Sequence, residues 1–142
     1  METLSVLDLF AGIGNISLEF ASRGAKNVLA IDTNVRCLQF VKETAQMLDL
    51  RQIITQKADV FKLIAKPNTN TPFDLIFADA PYHHSELRTI PNQIFENKWL
   101  AQNGWLIVEH PATTQFDAQA TQCLFDQRRY GHSMFSFFAK SK

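Results

Sequence analysis

The sequence predicts an α/β domain on a doubly wound, mostly parallel sheet. Three observations predict it. Short runs rich in Val, Ile, Leu and Phe alternate with longer stretches of helical period. The run from Phe73 to Ala78 is nearly all apolar, as a strand covered on both faces should be. All five glycines fall at predicted turns or helix ends, so local and global readings agree. Right-handed crossovers then place the first strand near the centre of the sheet. With 142 residues, 46% of them hydrophobic, the chain suits one domain around one core.

The elements follow in order. Leu4 to Phe10 reads as a strand. Asn15 to Arg23 reads as a helix, with Ile16 and Phe20 one turn apart and Gly24 as a stop. Asn27 to Ile31 is the second strand. Asn34 to Leu48 is the second helix, with Leu38, Val41, Ala45 and Leu48 along one face. Gln52 to Gln56 is a weak third strand, and Val60 to Ala65 a short helix broken before Pro67. A turn-rich connection from Lys66 to Pro72 leads into the strand Phe73 to Ala78. Pro91 suits a first helical position, with the helix running to about Leu100. Asn103-Gly104 reads as the turn into a fifth strand, Trp105 to Glu109. Pro111 to Ala120 is loop or short helix. The runs Gln122 to Arg128 and His132 to Ala139, around Tyr130-Gly131, read as an antiparallel pair. No internal repeat, low-complexity tract or interdomain linker interrupts the chain.

Composition narrows the function classes. Lys+Arg and Asp+Glu both number 14, so the net charge is zero and the whole chain has no attraction for nucleic acid. Any such binding needs a local patch or a shaped pocket. Cys37 and Cys123 are the two cysteines, far apart in sequence. They imply no disulfide framework and suit a reducing, cytoplasmic setting. No apolar run approaches the roughly 20 residues of a membrane span. The start, Met1-Glu2-Thr3, lacks a signal-peptide pattern.

Two motifs carry chemistry. The first strand runs into Asp8-Leu9-Phe10-Ala11-Gly12-Ile13-Gly14-Asn15. In doubly wound sheets ligands sit beyond the carboxyl ends of the strands. Gly12 and Gly14 permit close backbone approach and a tight turn into the helix. Asp8 lies inside the strand, where a dehydrogenase places an apolar residue. A carboxylate there suits a ligand with an ammonium group, or it ties down the loop amides. Asp32 ends the second strand, eighteen residues after Gly14. It can accept hydrogen bonds from a ribose diol or cap the second helix. Asp59, before Val60, is either an N-cap or a partner for an adenine amino group.

The second motif is Asp79-Ala80-Pro81-Tyr82, at the end of the fourth strand. It suits methylation of an exocyclic amine. Such a nitrogen is a poor nucleophile because its lone pair is delocalised into the ring. Acceptors on its two N–H bonds, the Asp79 side chain and the Ala80 carbonyl, favour a more pyramidal and nucleophilic nitrogen. Pro81 holds the preceding residue extended. Tyr82 offers a face on which a flipped base can stack. The donor would be a sulfonium methyl attacked in line, with catalysis by positioning and electrostatics.

At these residues the sequence resembles a family. The segments Leu7 to Gly14, Leu18-Glu19-Phe20-Ala21-Ser22-Arg23-Gly24-Ala25 and Phe73 to Tyr82 look like the bacterial 16S rRNA guanine-N2 methyltransferases of the RsmD type. Gly104 to His110 and Arg129-Tyr130-Gly131 also look similar, so the resemblance covers almost the whole chain. It implies a Rossmann-like class I methyltransferase: a seven-stranded, mostly parallel sheet with an antiparallel C-terminal strand. It implies S-adenosylmethionine as cofactor and 16S rRNA or the small ribosomal subunit as substrate. Asp8, Phe10, Ala11, Gly12 and Gly14 would then hold the methionine part. Asp32 would bind ribose, Thr33 and Val60 would flank adenine, and Asp59 would lie near its amino group. Asp79, Ala80, Pro81 and Tyr82 would present the guanine. Two departures stand out. Proline is usual in the family where Ala80 stands. Family members also carry a few dozen residues, with an Arg-Pro-Thr motif, before the first strand. Residues 1–142 are therefore expected to be a single catalytic domain without the usual N-terminal extension.

The remaining features read more blandly. His83-His84 suits a solvated or substrate-side loop, and no metal site is expected. His110 suits a loop-anchoring role. Arg128 and Arg129 with Lys140 and Lys142 form the densest basic group, read first as a solvated edge. Phe135, Phe137 and Phe138 suit a last strand packed on its neighbours. A monomer is expected. Rival readings are a DNA adenine or cytosine amino-methyltransferase, which 142 residues leave without a target-recognition domain. An NAD-dependent oxidoreductase is opposed by Asp8 and by Ser17 in place of a third glycine. A cofactor-binding module without turnover is the non-enzymatic rival.

Overall fold

The computed structural model describes residues 4–82 and 84–140. His83 and Lys142, singled out above, lie outside the described residues, as does the Met1-Glu2-Thr3 start. The elements are β1 (Ser5–Leu9), α1 (Asn15–Ser22), β2 (Asn27–Asp32), α2 (Val35–Met47), β3 (Ile53–Lys57), α3 (Val60–Ile64) and β4 (Phe73–Asp79). A 3-10 turn (Leu87–Thr89), α4 (Ile90–Glu96), β5 (Leu100–Pro111), α5 (Ala118–Cys123), β6 (Leu124–Tyr130) and β7 (Ser133–Phe138) complete them.

The strands form one seven-stranded sheet in the order β3-β2-β1-β4-β5-β7-β6. Pairings among β1 to β5 are parallel, and β7 runs antiparallel to both neighbours. The expected doubly wound architecture is the one observed, with β1 near the centre, beside the middle strand β4. One face carries Leu7, Leu9, Ile31, Ile76, Ala78, Leu106, Val108 and Phe138, buried under α3, α4 and α5. The other buries Val6, Val28 and Leu75 with Ala21 and Ala25. There α1 and α2 lie over β1, β2 and β3.

Several local expectations are corrected. The fully buried positions of α1 are Ser17 and Ala21, and Phe20 packs half-buried against the same core. Ser17 faces inward because it answers Asp8 on β1. Leu48 is exposed because α2 ends one residue earlier. The helix after Pro91 stops at Glu96, and Lys98 takes a left-handed φ of 61° as the chain turns to enter β5. That strand begins at Leu100, so Asn103-Gly104 lies inside it rather than before it. Phe73 pairs Leu100 while Leu75 pairs Trp105, so residues 101–104 bulge against a single residue of β4. A Cβ on Gly104 would sit 2.8 Å from Leu100 Cδ1 and 2.9 Å from the Asp74 carbonyl oxygen. Gly104 is therefore demanded by backbone approach in a bulge, not by a turn. In the tail, Gln122 and Cys123 belong to α5, and β6 starts at Leu124.

Candidate active site

The β1 loop is shaped by backbone conformation first. Phe10, Gly12 and Gly14 have positive φ of 60°, 57° and 85°. Phe10 tolerates this cost because the loop is strapped in place. Ala11 N–H donates to the Ile31 carbonyl at 2.9 Å, and Gly12 N–H donates to Asp32 Oδ2 at 2.8 Å. Gly14 caps α1, where a Cβ would meet Val41 Cγ2 at 2.6 Å. A Cβ on Gly12 would meet nothing within 4 Å. The two glycines are thus needed for different reasons: Gly14 for helix packing, Gly12 for its φ alone.

The three acidic residues of this region are all engaged by the protein. Asp8 is 2% exposed. Its Oδ2 accepts from Ser17 Oγ at 2.7 Å and Ser17 N–H at 3.2 Å. Burial pushes its carboxyl up to about 6; the Ser17 bonds oppose the rise, and the charges of Asp79 and Asp32 add to it. Asp32 accepts from Gly12 N–H on one oxygen and from Asn34 N–H on the other, each at 2.8 Å. Asp59 caps α3, its Oδ1 accepting from Phe61 N–H at 3.0 Å and Lys62 N–H at 3.4 Å. The capping reading holds for Asp59. Asp8 ties β1 to α1 through Ser17 rather than to loop amides, and α2 is capped by Asn34, so Asp32 straps the β1 loop at Gly12 instead of capping that helix. A carboxylate oxygen still has a second lone pair, so capping does not exclude a ligand.

A cleft of about 230 Å³ opens at the strand ends. Phe10 lines it from β1, Asp32 and Thr33 from β2, Asp59, Val60 and Phe61 from the β3 end, and Pro81 and His84 from the β4 end. Of the expected cofactor residues, Phe10, Asp32, Thr33, Asp59 and Val60 line it. Asp8 in β1, and Ala11, Gly12 and Gly14 in the loop that follows, are not among the lining residues. Of the second motif only Pro81 is; Ala80 is buried in the core, which its small side chain allows. Sequence reading missed Phe61, while His84 lies on the substrate side, as one of its two readings had it. The His84 ring stacks on Phe61 with centroids 4.1 Å apart and planes at 20°, and Phe61 in turn meets Phe10 at 5.4 Å. His84 is solvent-exposed as expected, yet it forms part of the cleft wall. The one available signal for Phe61 was its place in the first turn of a helix that starts at the strand ends.

Beside the cleft lies a second acidic pair. Asp79 is in register with Glu109 on β5. Partial desolvation first, then the Glu109 charge, pushes the Asp79 carboxyl up to about 6. Among the described residues its carboxylate accepts no hydrogen bond. Desolvation, then Glu109 and Asp79, also raises the Tyr82 phenol. Glu109 thus acts on both; the sequence shows it only at the end of the fifth strand, and the bulged register of β5 on β4 is what sets it beside Asp79.

His110 is not a loop anchor. It is buried, with Nδ1 2.8 Å from the Pro111 carbonyl oxygen and Nε2 2.6 Å from Ser136 Oγ on β7. A carbonyl only accepts, so Nδ1 carries the proton and Nε2 accepts from the serine. Gln127 Nε2 donates to the same Oγ at 2.9 Å, which extends the chain to β6. Burial lowers the histidine's proton affinity against the opposing pull of the carbonyl. His110 therefore ties β5 to β7 as a neutral ring.

Residues 1–139 match the model of a family described as "Conserved hypothetical protein 95". This chain belongs to that family. It is 33% identical over 110 residues to a Bacillus subtilis protein named "Putative rRNA methyltransferase YlbH", covering 73% of this chain and 58% of that one. It is 30% identical over 107 residues to the ribosomal RNA small subunit methyltransferase D of Haemophilus influenzae, covering 72% and 54%. The chain thus spans little more than half the length of these relatives. A solved Haemophilus influenzae structure described as a "putative methylase" superposes with a TM-score of 0.85 at 23% identity, over 96% of this chain and 86% of that one. That likeness establishes the fold. No helix is long and apolar enough to cross a membrane, and among the described residues no cluster of three His, Cys, Asp or Glu could hold a metal.

Proposed function

We propose that this chain methylates the exocyclic N2 amine of a guanine in 16S rRNA of the small ribosomal subunit. S-adenosylmethionine would be the donor. One observation carries the reading: the β1 to β3 ends and the β4 end line a single cleft, with Pro81, two residues after Asp79, in its wall. The relatives named as ribosomal RNA methyltransferases support the substrate class.

The donor set suits the cofactor. Apolar walls from Phe10, Val60 and Phe61 fit a purine, and Asp32 lies where a ribose diol needs an acceptor. Asp8, buried beneath the loop, would receive the positive charge of the amino-acid part directly or through water. When bound, S-adenosylmethionine supplies an electrophilic methyl group on a sulfonium. Asp79 and the Ala80 carbonyl would accept the two N2–H bonds and pull the amine out of conjugation. Tyr82 would hold the flipped base by stacking. The chain's own part would be to hold N2 in line with that methyl group, and the surplus N2 proton would leave to solvent. Packing of Ala80 in the core supplies the fixed carbonyl that proline at that position would otherwise secure. In this reading residues 1–142 act as one catalytic domain, as a monomer in the cytoplasm, without a metal.

Labelled methyl transfer to unmodified small ribosomal subunits, followed by nucleoside analysis, tests this. The expected product is N2-methylguanosine. Label found in DNA adenine or cytosine, or bound cofactor with no label in any RNA, would overturn it.

A further inference from the structure

The sheet register draws a line from the candidate active site to the far edge of the molecule. Asp79 on β4 pairs Glu109 on β5, Glu109 pairs Phe135 on β7, and Phe135 pairs Arg128 on β6. Directly paired residues share a face, so these four form one cross-sheet row. Three inter-strand spacings of roughly 4.8 Å put Arg128 about 14 Å from Asp79. The next row outward ends in Tyr130, paired with Ser133, itself opposite Pro111. The β6–β7 hairpin thus turns at the same end of the sheet as the cleft.

This rim has the chemistry of a single-stranded nucleic-acid platform. Tyr130 is 60% exposed, and its ring sits edge-on to Phe135 at 5.4 Å, which fixes its plane. Phe135 in turn meets Phe77 of β4 at 6.4 Å, so the aromatic contact is continuous toward Asp79. Arg128 is held by Asp126 at 3.2 Å and by the Tyr130 hydroxyl. A guanidinium has five donors, and these two contacts leave several for a phosphate. In a chain of zero net charge, a paired Arg128-Arg129 at the mouth is a local cation source. The expected basic group is in fact divided. Lys140 follows Phe138, which pairs Leu106 at the opposite end of β5. Of the described members, Arg128 shares the row with Asp79, and Arg129, the next residue along β6, points to the opposite face of the sheet.

Resting on the guanine reading above, we propose that the β6–β7 hairpin docks the RNA flanking the target guanine. Tyr130 stacks a neighbouring base, and Arg128 faces the backbone phosphate beside it. Base stacking on an aromatic tolerates sequence, so the hairpin sets affinity and not the choice of base.

The test compares wild type, Tyr130→Ala, Tyr130→Phe and Arg128→Ala on small ribosomal subunits and on 16S rRNA. The expected result is about a tenfold rise in KM for RNA in Tyr130→Ala, with kcat little changed, and recovery in Tyr130→Phe. Arg128→Ala should weaken RNA binding and flatten its salt dependence. Calorimetric affinity for S-adenosylhomocysteine should be the same in all four, which also reports folding. Equal KM and equal RNA binding in wild type and Tyr130→Ala overturns the hairpin proposal and leaves the guanine site standing. Tyr130-dependent RNA binding without any labelled guanine does the reverse. A Tyr130-dependent dimer in sedimentation, with RNA binding unchanged, assigns the face to a second copy and overturns the proposal.

Discussion

Asp8 and Asp79 end up with similar proton affinity by opposite routes. Both are pushed to about 6. Asp8 is sealed in the core, its Oδ2 holding two bonds from Ser17. Asp79 is exposed at the strand end and shares its rim with Glu109. The first carboxylate is satisfied before any ligand arrives, so it shapes the loop. The second is left for what comes from outside. The β1 to β3 ends are therefore a finished cradle, and the β4 end is a reactive edge.

Breaking the reactive edge should have the largest effect. Asp79→Asn is expected to lower kcat for methyl transfer by about a thousandfold, with cofactor affinity nearly unchanged. For the same reason kcat in wild type should fall as pH drops through 6, because a protonated Asp79 loses the charge that makes it a strong acceptor for N2–H. Rapid-quench turnover at pH 5 to 8 checks both.

Altering the cradle should separate stability from binding. Asp8→Asn is expected to weaken cofactor binding by roughly tenfold to a hundredfold, the worth of a charge-assisted bond. It should not destabilise the fold at pH 7. The folded-state pKa lies above the ordinary value of 3.8, so this group's contribution is present below pH 3.8 and lost by pH 6. At neutral pH the buried charge costs up to about 3 kcal/mol, which the amide avoids. Thermal melts of Asp8→Asn against wild type should favour the variant at pH 7 and converge near pH 4.

Stability without any ligand separates the two glycines within the cradle. Gly14→Ala should cost about 2–4 kcal/mol, because its Cβ would meet Val41 Cγ2 at 2.6 Å in addition to the strained φ. Gly12→Ala should cost about 1–2 kcal/mol, from φ alone. Urea denaturation of the two variants gives the difference.

The alternation of apolar runs and helical periods made the α/β architecture legible, and the runs placed both motifs at strand ends. What stayed hidden was tertiary. Asn103-Gly104 has turn chemistry, yet the bulge against Asp74 claims it for β5. Ser17 is polar and so was passed over for α1's buried stripe, until Asp8 supplied its partner. Glu109 and Arg128 have no motif of their own; only register across four strands brings them into line with Asp79. The choice between a solvated and a substrate-side His84 stayed open because its stacking partner, Phe61, lies far back in the chain.

The division between cradle and edge is tested most directly by calorimetric titration of S-adenosylhomocysteine into wild type, Asp32→Asn and Asp79→Asn. Asp32→Asn should bind at least about tenfold more weakly, and Asp79→Asn should match wild type. Equal affinity in wild type and Asp32→Asn, or loss of binding in Asp79→Asn, would contradict the assignment of the two strand ends.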